Sequence, residues 1–387
     1  MLESLKKELE QRQTQGLMRQ RRLLDSPQAE QITADEHQYL SFCSNDYLGL
    51  ANRPELIAAM QQAAGNSGVG SGASNLITGH HRYHDTLEKQ LADFVGMPAA
   101  LLFSTGYMAN IGVLGALVGR GDAIFADKLN HACLNDGGYY SMAEFKRFAH
   151  NDVAALEKLL QASKARHKII AADAVFSMDG DIAPIPEYLK LCEQYDAYLY
   201  MDDAHGFGVL GKHGSGTLSH FGLKSPRIIM MATLGKAAGV AGAFVAGEQV
   251  VIDYLIQTAK SYVYSTPAPP ALSATLSASL KLIEKGDDLR AHLRHLIATL
   301  KQNLHLKRWQ LMPSETAIQP LLIGSNHDAL RVGEYLQKQG ILVPAIRPPT
   351  VPVNTARLRI SLSAAHKTED VVKLAEALNQ AEKELAV

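Results

Sequence analysis

The sequence predicts an α/β protein: a large domain built on a parallel sheet, followed by a smaller α+β domain. Three observations carry this. Short apolar runs recur through the middle of the chain, and helical patterns separate them. Those runs are apolar on both faces, as strands covered by helices on both sides must be. After about residue 275 the character changes, and a strand of alternating polarity appears among amphipathic helices.

The elements follow in chain order. Residues 1–24 read as a helix, with Leu2, Leu5, Leu9, Leu17 and Met18 as its apolar positions. Arg19, Arg21 and Arg22 lie near its end, where cations suit the helix dipole and charge runs are usually solvated. The candidate strands are Ala99–Phe103, Ala123–Ala126, Ile169–Val175, Ala197–Met201, Ile228–Ala232 and Ala243–Ala246. One intervening helix takes Asn151 or Asp152 as its N-cap and buries Val153, Leu156, Leu159 and Leu160. Strands alternating with helices are the mark of βαβ units. The Pro-rich stretch Ser265–Pro270 marks a bend near the domain junction. Beyond it, Leu289, Leu293, Leu296, Ile297 and Leu300 line one face of a helix. In Ala356–Leu362, Leu358, Ile360 and Leu362 face one way and Arg357, Arg359 and Ser361 the other, which predicts a half-buried strand. Thr368 is placed to cap a last helix, with Glu369 and Asp370 in its first turn. The expected ranges are 1–50 for an N-terminal helix and arm, 51–275 for the large domain and 276–387 for the small one.

Composition narrows the class of function. The 387 residues are 47% hydrophobic and 20% charged, enough to bury sizeable cores. A formal net charge of -1 gives no broad field for nucleic acid or an anionic membrane. Cys43, Cys133 and Cys192 lie far apart and form no CxxC pair, which disfavours a disulfide framework or a thiolate metal site. The start, MLESLKKELEQRQ, is charged rather than the apolar core of a signal peptide. No apolar run approaches the roughly 20 residues that span a bilayer. The expectation is a soluble cytoplasmic protein with a buried small-molecule site and no metal.

Four segments invite a chemical reading. Gly68–Gly79 is glycine-rich, but a helical pattern precedes it where a dinucleotide fingerprint needs a strand, so it reads as a tight or flexible loop. His80 and His84 have the spacing of a zinc motif, but His81 stands where the essential Glu belongs, which leaves them as helix-start histidines. Asp202 lies just past an apolar strand, with His205 three residues on. Alone, such an Asp is as readily a cap as a ligand. Lys236 follows another apolar strand among small residues, where burial can lower an amine pKa and make it a Schiff-base former. Together, an Asp and a later Lys at strand ends are what pyridoxal phosphate requires. The Lys reacts with the aldehyde, and the Asp keeps the ring nitrogen protonated. The phosphate then needs a loop opening a helix, and Ser104–Asn110 (STGYMAN) follows a strand as that cradle should.

With these segments the chain resembles the α-oxoamine synthases, fold-type I pyridoxal phosphate enzymes. The resemblance runs over nearly the whole chain. It rests on SNDYLGL (44–50), GVGSGAS (68–74), STGYMAN, KLNHACL, VFSMDGD (175–181), DDAHGFGVLG, TLGKAAGVAG, YSTPAPP and AIRPPTVPVNTARLRISLSAAH (345–366). The last segment is most similar to the members that condense L-alanine with a pimeloyl thioester, carried by coenzyme A or a carrier protein, in biotin formation. The resemblance implies a mostly parallel seven-stranded sheet flanked by helices and a homodimer with shared sites. It assigns the cofactor aldehyde and the proton at the substrate Cα to Lys236, the ring nitrogen to Asp202, the phenolic oxygen to His205 and the ring face to His131. Ser177 contacts the cofactor. Gly106, Tyr107 and Thr233 hold the phosphate, and Tyr264, Ser265 and Thr266 reach the neighbouring subunit's phosphate. Arg359 clamps the amino-acid carboxylate, and His131 also meets substrate. Arg19 and Thr350 line the acyl side, with Asn45 nearby and Arg21 as the alternative to Arg19. Asp173 stands where a Glu is more usual, and Ser74-Asn75 lies in a variable segment. Relatives that pair glycine with acetyl-CoA, or serine with a long acyl chain, would use the same cofactor residues. A scaffold that has lost catalysis would not need them.

Overall fold

A computed structural model describes residues 1–385 of the chain. They form two compact units. One comprises Asn52–Phe176 and Ile182–Asp287; the other comprises Met1–Ala51, Ser177–Asp181 and the residues from Asp288 on. The helix Pro270–Lys285, which an expected boundary at 275 divides, lies wholly in the first unit. The last two residues of the range 276–387 lie outside the described residues.

The chain begins with α1 (Leu2–Thr14), none of whose residues is buried. The helix expected over 1–24 is therefore shorter, and Arg19, Arg21 and Arg22 lie beyond it. Gly16 accounts for the stop: its φ of +64° is the left-handed conformation that ends helices and that glycine adopts without strain. Two strands, β1 (Gln31–Ala34) and β2 (His37–Ser41), then pair antiparallel.

The first unit carries the main sheet. Its strands are β3 (Ala99–Phe103), β4 (Ala123–Asp127), β5 (Glu144–Phe148), β6 (Lys168–Asp173), β7 (Tyr198–Asp202), β8 (Ile228–Thr233) and β9 (Ala243–Gly247). They form seven strands in the order β3-β9-β8-β7-β6-β4-β5. From β8 to β5 neighbours run parallel, while β9 is antiparallel to both β3 and β8. The mostly parallel sheet agrees with expectation. Strand β5 was not anticipated: its sequence EFKRF mixes three charged residues with two phenylalanines, because it is an edge strand only partly covered. The central strands are buried on both faces, with Phe125, Ile170, Leu199, Met230 and Val245 at 0% exposure. Each such side chain contributes about 1.5–3 kcal/mol by leaving water. The helices that position the site are α2 (Pro54–Ser67), α3 (Arg82–Val95), α4 (Gly106–Leu117) and α5 (Ala132–Ser141). The helix Val153–Ala162 starts as expected, with the Asp152 carboxylate accepting the Ala155 N–H, but it fully buries only Leu156 and Leu160; Val153 and Leu159 are half-buried.

In the second unit, β10 (Gln310–Leu311), β11 (Ile318–Gly324), β13 (Ala345–Ile346) and β14 (Ala356–Ser361) form an antiparallel sheet ordered β10-β11-β14-β13. Strand β12 (Ile341–Leu342) joins β2 instead. The half-buried reading of residues 356–362 is corrected here: every residue of β14 is buried, including Arg357 and Arg359. Alternation marks which face is polar, but both faces are covered. The last helix runs Thr368–Glu384 with Lys367, not Thr368, as its N-cap. The Asp370 carboxylate accepts the Lys367 N–H at 2.8 Å, so the first-turn acid rather than the threonine ties the entry. Among the described residues no helix is long and apolar enough to cross a membrane.

Candidate active site

Asp202 closes β7 and Thr233 closes β8, so both belong to strand ends rather than following them. This carboxyl edge is where α/β sheets bind ligands. Asp202 is buried; its Oδ2 accepts from Asn110 Nδ2 at 2.8 Å and its Oδ1 from the Ala204 N–H at 3.0 Å. In the turn that follows, His205 Nε2 lies 2.8 Å from Lys236 Nζ. Asp203 has a different task. It is fully buried and accepts both the Thr217 N–H (2.7 Å) and the Thr217 hydroxyl (2.5 Å), and burial pushes its carboxyl up to about 7. Only glycine fits at 206, where a Cβ would stand 2.1 Å from Asp203 Oδ1.

His131 caps α5. Its Nδ1 accepts the Cys133 N–H at 3.3 Å and lies 2.7 Å from Cys133 Sγ. Its own backbone N–H donates to Asp173 Oδ2 at 2.9 Å. Asp173, paired in register with Asp202, is buried, and burial raises its pKa well above the carboxylate range, with the charge of Asp202 adding to the rise. Asn110, Cys133 and Tyr200 were not singled out from sequence. Asn110 nevertheless carried a signal, as the one polar side chain in the apolar run Met108–Leu117, where a buried amide must find partners. Its Oδ1 accepts from Tyr200 Oη at 2.7 Å.

The expected phosphate cradle is the start of α4. Thr105 is its N-cap, with its hydroxyl accepting the Met108 N–H at 3.1 Å. The helical ladder begins only with the Ala109 N–H to Thr105 O, which leaves the Gly106 and Tyr107 N–H groups ahead of it. A Cβ at Gly106 would be 3.9 Å from Thr233 Cβ, so the Thr233 side chain and the α4 terminus share one place. A helix terminus beside a hydroxyl suits a phosphate. An amine next to an imidazole suits an aldehyde, and a buried carboxylate suits a cationic ring nitrogen. The donor set therefore fits pyridoxal phosphate. Ser265 and Thr266 line a cavity with Ser104, Gly242 and His84, and Tyr264 is exposed.

The second unit holds its own group of predicted residues. Arg359 is buried, with Nε donating to the Ser177 carbonyl at 2.5 Å, Nη1 to Ser361 Oγ at 2.7 Å, and Nη2 to Asn45 Oδ1 at 3.2 Å and Tyr47 Oη at 3.4 Å. Among the described residues no carboxylate lies within ion-pair distance of it. Arg357 differs: its Nη1 is 2.8 Å from Asp179 Oδ1. Arg19 Nη2 donates to Thr350 Oγ1 at 3.3 Å, whereas among the described residues Arg21 makes no such contact.

The remaining motifs have structural roles. His84 Nδ1 accepts the His81 N–H at 2.9 Å in a capping box, and its Nε2 lies 2.8 Å from the Ala268 carbonyl. Among the described residues no three His, Cys, Asp or Glu side chains group as metal ligands. Residues 68–79 form a loop and a single turn, Asn75–Gly79, after α2.

Comparison with known proteins identifies the family. The family model described as aminotransferase class I and II matches residues 37–378. The 8-amino-7-oxononanoate synthase of Methylobacillus flagellatus is 59% identical over 99% of this chain and 96% of its own. A serine palmitoyltransferase from S. paucimobilis, solved with a bound pyridoxal phosphate–myriocin aldimine, superposes with a TM-score of 0.92 at 26% identity, covering 99% of this chain and 98% of that one. An 8-amino-7-oxononanoate synthase from Francisella tularensis gives a TM-score of 0.78 at 29% identity over 90% of this chain and 99% of its own.

Proposed function

The chain belongs to the aminotransferase class I and II family, and from that premise we propose that it is an 8-amino-7-oxononanoate synthase. It condenses L-alanine with a pimeloyl thioester, releasing CO2 and the free thiol, in biotin biosynthesis. The observation that carries this is the 59% identity, over nearly the full length, to a curated enzyme of that name.

Pyridoxal 5′-phosphate, when bound, supplies an electron sink for the Cα of the amino acid. The chain's residues do the rest. The N–H groups of Gly106 and Tyr107 would hold the phosphate, with the Thr233 hydroxyl turned toward it from Gly242 O. Asp202 holds the proton on the ring nitrogen, and Asn110 fixes the orientation of that carboxylate. His205 meets the phenolic oxygen, His131 covers the ring face and Ser177 adds a contact. Lys236 takes the Cα proton and returns it after CO2 has left. Arg359 receives the amino-acid carboxylate in its planar fork. Support for that role is its buried charge, satisfied only by neutral oxygens; a buried cation without an anion is costly until one arrives. Arg19 and Thr350, with Asn45, line the acyl side. The active form is a homodimer in which Ser265 and Thr266 serve the neighbouring subunit's phosphate, and it works in the cytoplasm.

The test is thiol release with L-alanine or glycine offered against pimeloyl-CoA, pimeloyl carrier protein or acetyl-CoA. L-alanine with a pimeloyl donor should turn over fastest. Faster turnover of glycine with acetyl-CoA would sink the reading.

A further inference from the structure

Cys133 is buried at the start of α5, with its sulfur between Asn110 and His131. Every hydrogen around it can be assigned. Asp202 is acceptor-only when ionised, so the Asn110 amide must turn its NH2 toward it, and the Tyr200 hydroxyl on Asn110 Oδ1 agrees with that orientation. Asn110 Nδ2 carries two hydrogens. One goes to Asp202 Oδ2 at 2.8 Å and the other to Cys133 Sγ at 2.9 Å. The sulfur is therefore an acceptor on the Asn110 side, and its own hydrogen is left for His131 Nδ1 at 2.7 Å. That same nitrogen already accepts the Cys133 backbone N–H at 3.3 Å, and a backbone N–H can only donate. Two donors converge on Nδ1, so Nδ1 carries no hydrogen.

We propose that Cys133 is a positioning residue that fixes His131 as the tautomer protonated on Nε2. Two facts about charge support the assignment. Burial pushes the Cys133 thiol up to about 12, so it keeps its hydrogen at neutral pH. Partial desolvation lowers the His131 pKa, despite the opposing charge of Asp202, so the ring is neutral. The consequence is a directed one. His131 presents a donor, not an acceptor, on its outer nitrogen, which can polarise a carbonyl oxygen or hold a carboxylate but cannot take a proton. The thiol also joins His131 to the Asn110–Asp202 pair, so the ring-face group and the ring-nitrogen group share one scaffold.

The effect on turnover rests on the function proposed above; the placement of the hydrogens does not. Neutron diffraction from the deuterium-exchanged holoenzyme reads that placement directly. Deuterium is expected on His131 Nε2 and on Cys133 Sγ, aimed at Nδ1. Deuterium on Nδ1, or a sulfur without one, overturns the proposal whatever the substrate proves to be. Turnover of variants then tests the role. Cys133→Ala should lower kcat by about tenfold to a hundredfold, as expected when a positioned proton donor is misdirected, with KM for the amino acid within about twofold. Cys133→Ser, which keeps a donor to Nδ1, should recover most of that loss. Equal losses in the two variants, or a loss confined to KM, would assign Cys133 to packing alone.

Discussion

Two pairs of like charges sit in different regions of the molecule, and each pair divides its labour in the same way. At the sheet edge, Asp202 and Asp203 are consecutive and both are buried. On β14, Arg357 and Arg359 are two residues apart and both are buried. One member of each pair is saturated by fixed partners: Asp203 by Thr217, and Arg357 by Asp179. The partners differ within each pair: among the described residues Arg357 meets a carboxylate and Arg359 only neutral oxygens, while Asp203 takes both its donors from Thr217 and Asp202 takes one each from Asn110 and Ala204. Residue type and depth are equal within a pair, so neither tells structure from chemistry. What the partners are, and which elements supply them, does.

Substitutions can break this symmetry, and they rank by size. Asp202→Asn removes the charge proposed to meet the ring nitrogen. It should cut turnover by roughly 10³-fold while thermal unfolding stays near that of the parent. A large fall in melting temperature with modest kinetics would move Asp202 into the structural class. Arg357→Ala leaves Asp179 without its cation and should destabilise the protein by about 3 kcal/mol, read by denaturant unfolding. The KM for L-alanine should not change; a rise would contradict the division on β14. Arg359→Lys keeps the charge but loses the fork. It should lower kcat/KM for the amino acid about tenfold to a hundredfold, with little loss of stability. The smallest effect concerns Asp203. Its carboxyl, raised to about 7 by burial, holds a proton in the folded state that the unfolded chain releases near pH 4. Its contribution to stability is full below about pH 4 and is lost as the pH rises to about 7. Asp203→Asn cannot titrate. The wild-type melting temperature, measured relative to this variant, should therefore fall by about 2 °C or more between pH 5 and pH 8. A constant difference would show that Asp203 does not carry this proton.

Much of this was legible in the sequence, and the gaps have physical causes. Apolar runs located six of the seven sheet strands because burial on both faces leaves an unbroken hydrophobic signature. Edge strand β5 lacks that signature. Lys236 and Asp202 were singled out because Asp202 ends such a run and Lys236 stands three residues past the end of another. Asn110 was missed because its partners are distant in sequence, with Asp202 92 positions away; Cys133 was missed although His131 is two positions from it, because spacing alone does not show a thiol turned back onto an imidazole. The polar side of β14 was readable, but not its burial, since the residues that cover it come from segments as far away as Asn45 and Ser177. The early end of α1 depended on one glycine, whose backbone angle outweighs the apolar pattern running past it.

Strand β9 has a consequence for the order of events during synthesis. It is inserted between β3, which leads into α4, and β8, which ends in Thr233; the Thr233 hydroxyl donates to Gly242 O just ahead of β9. The two halves of the proposed phosphate cradle are thus joined by a strand made after both of them. Register pairs Phe103 with Ala243, and at roughly 5–20 residues per second the ribosome delivers the second on the order of ten seconds after the first. A nascent chain that ends before Gly247 holds neither a complete sheet nor a formed anion site. Cofactor capture at the proposed cradle is therefore expected to be a late event, following the emergence and docking of β9.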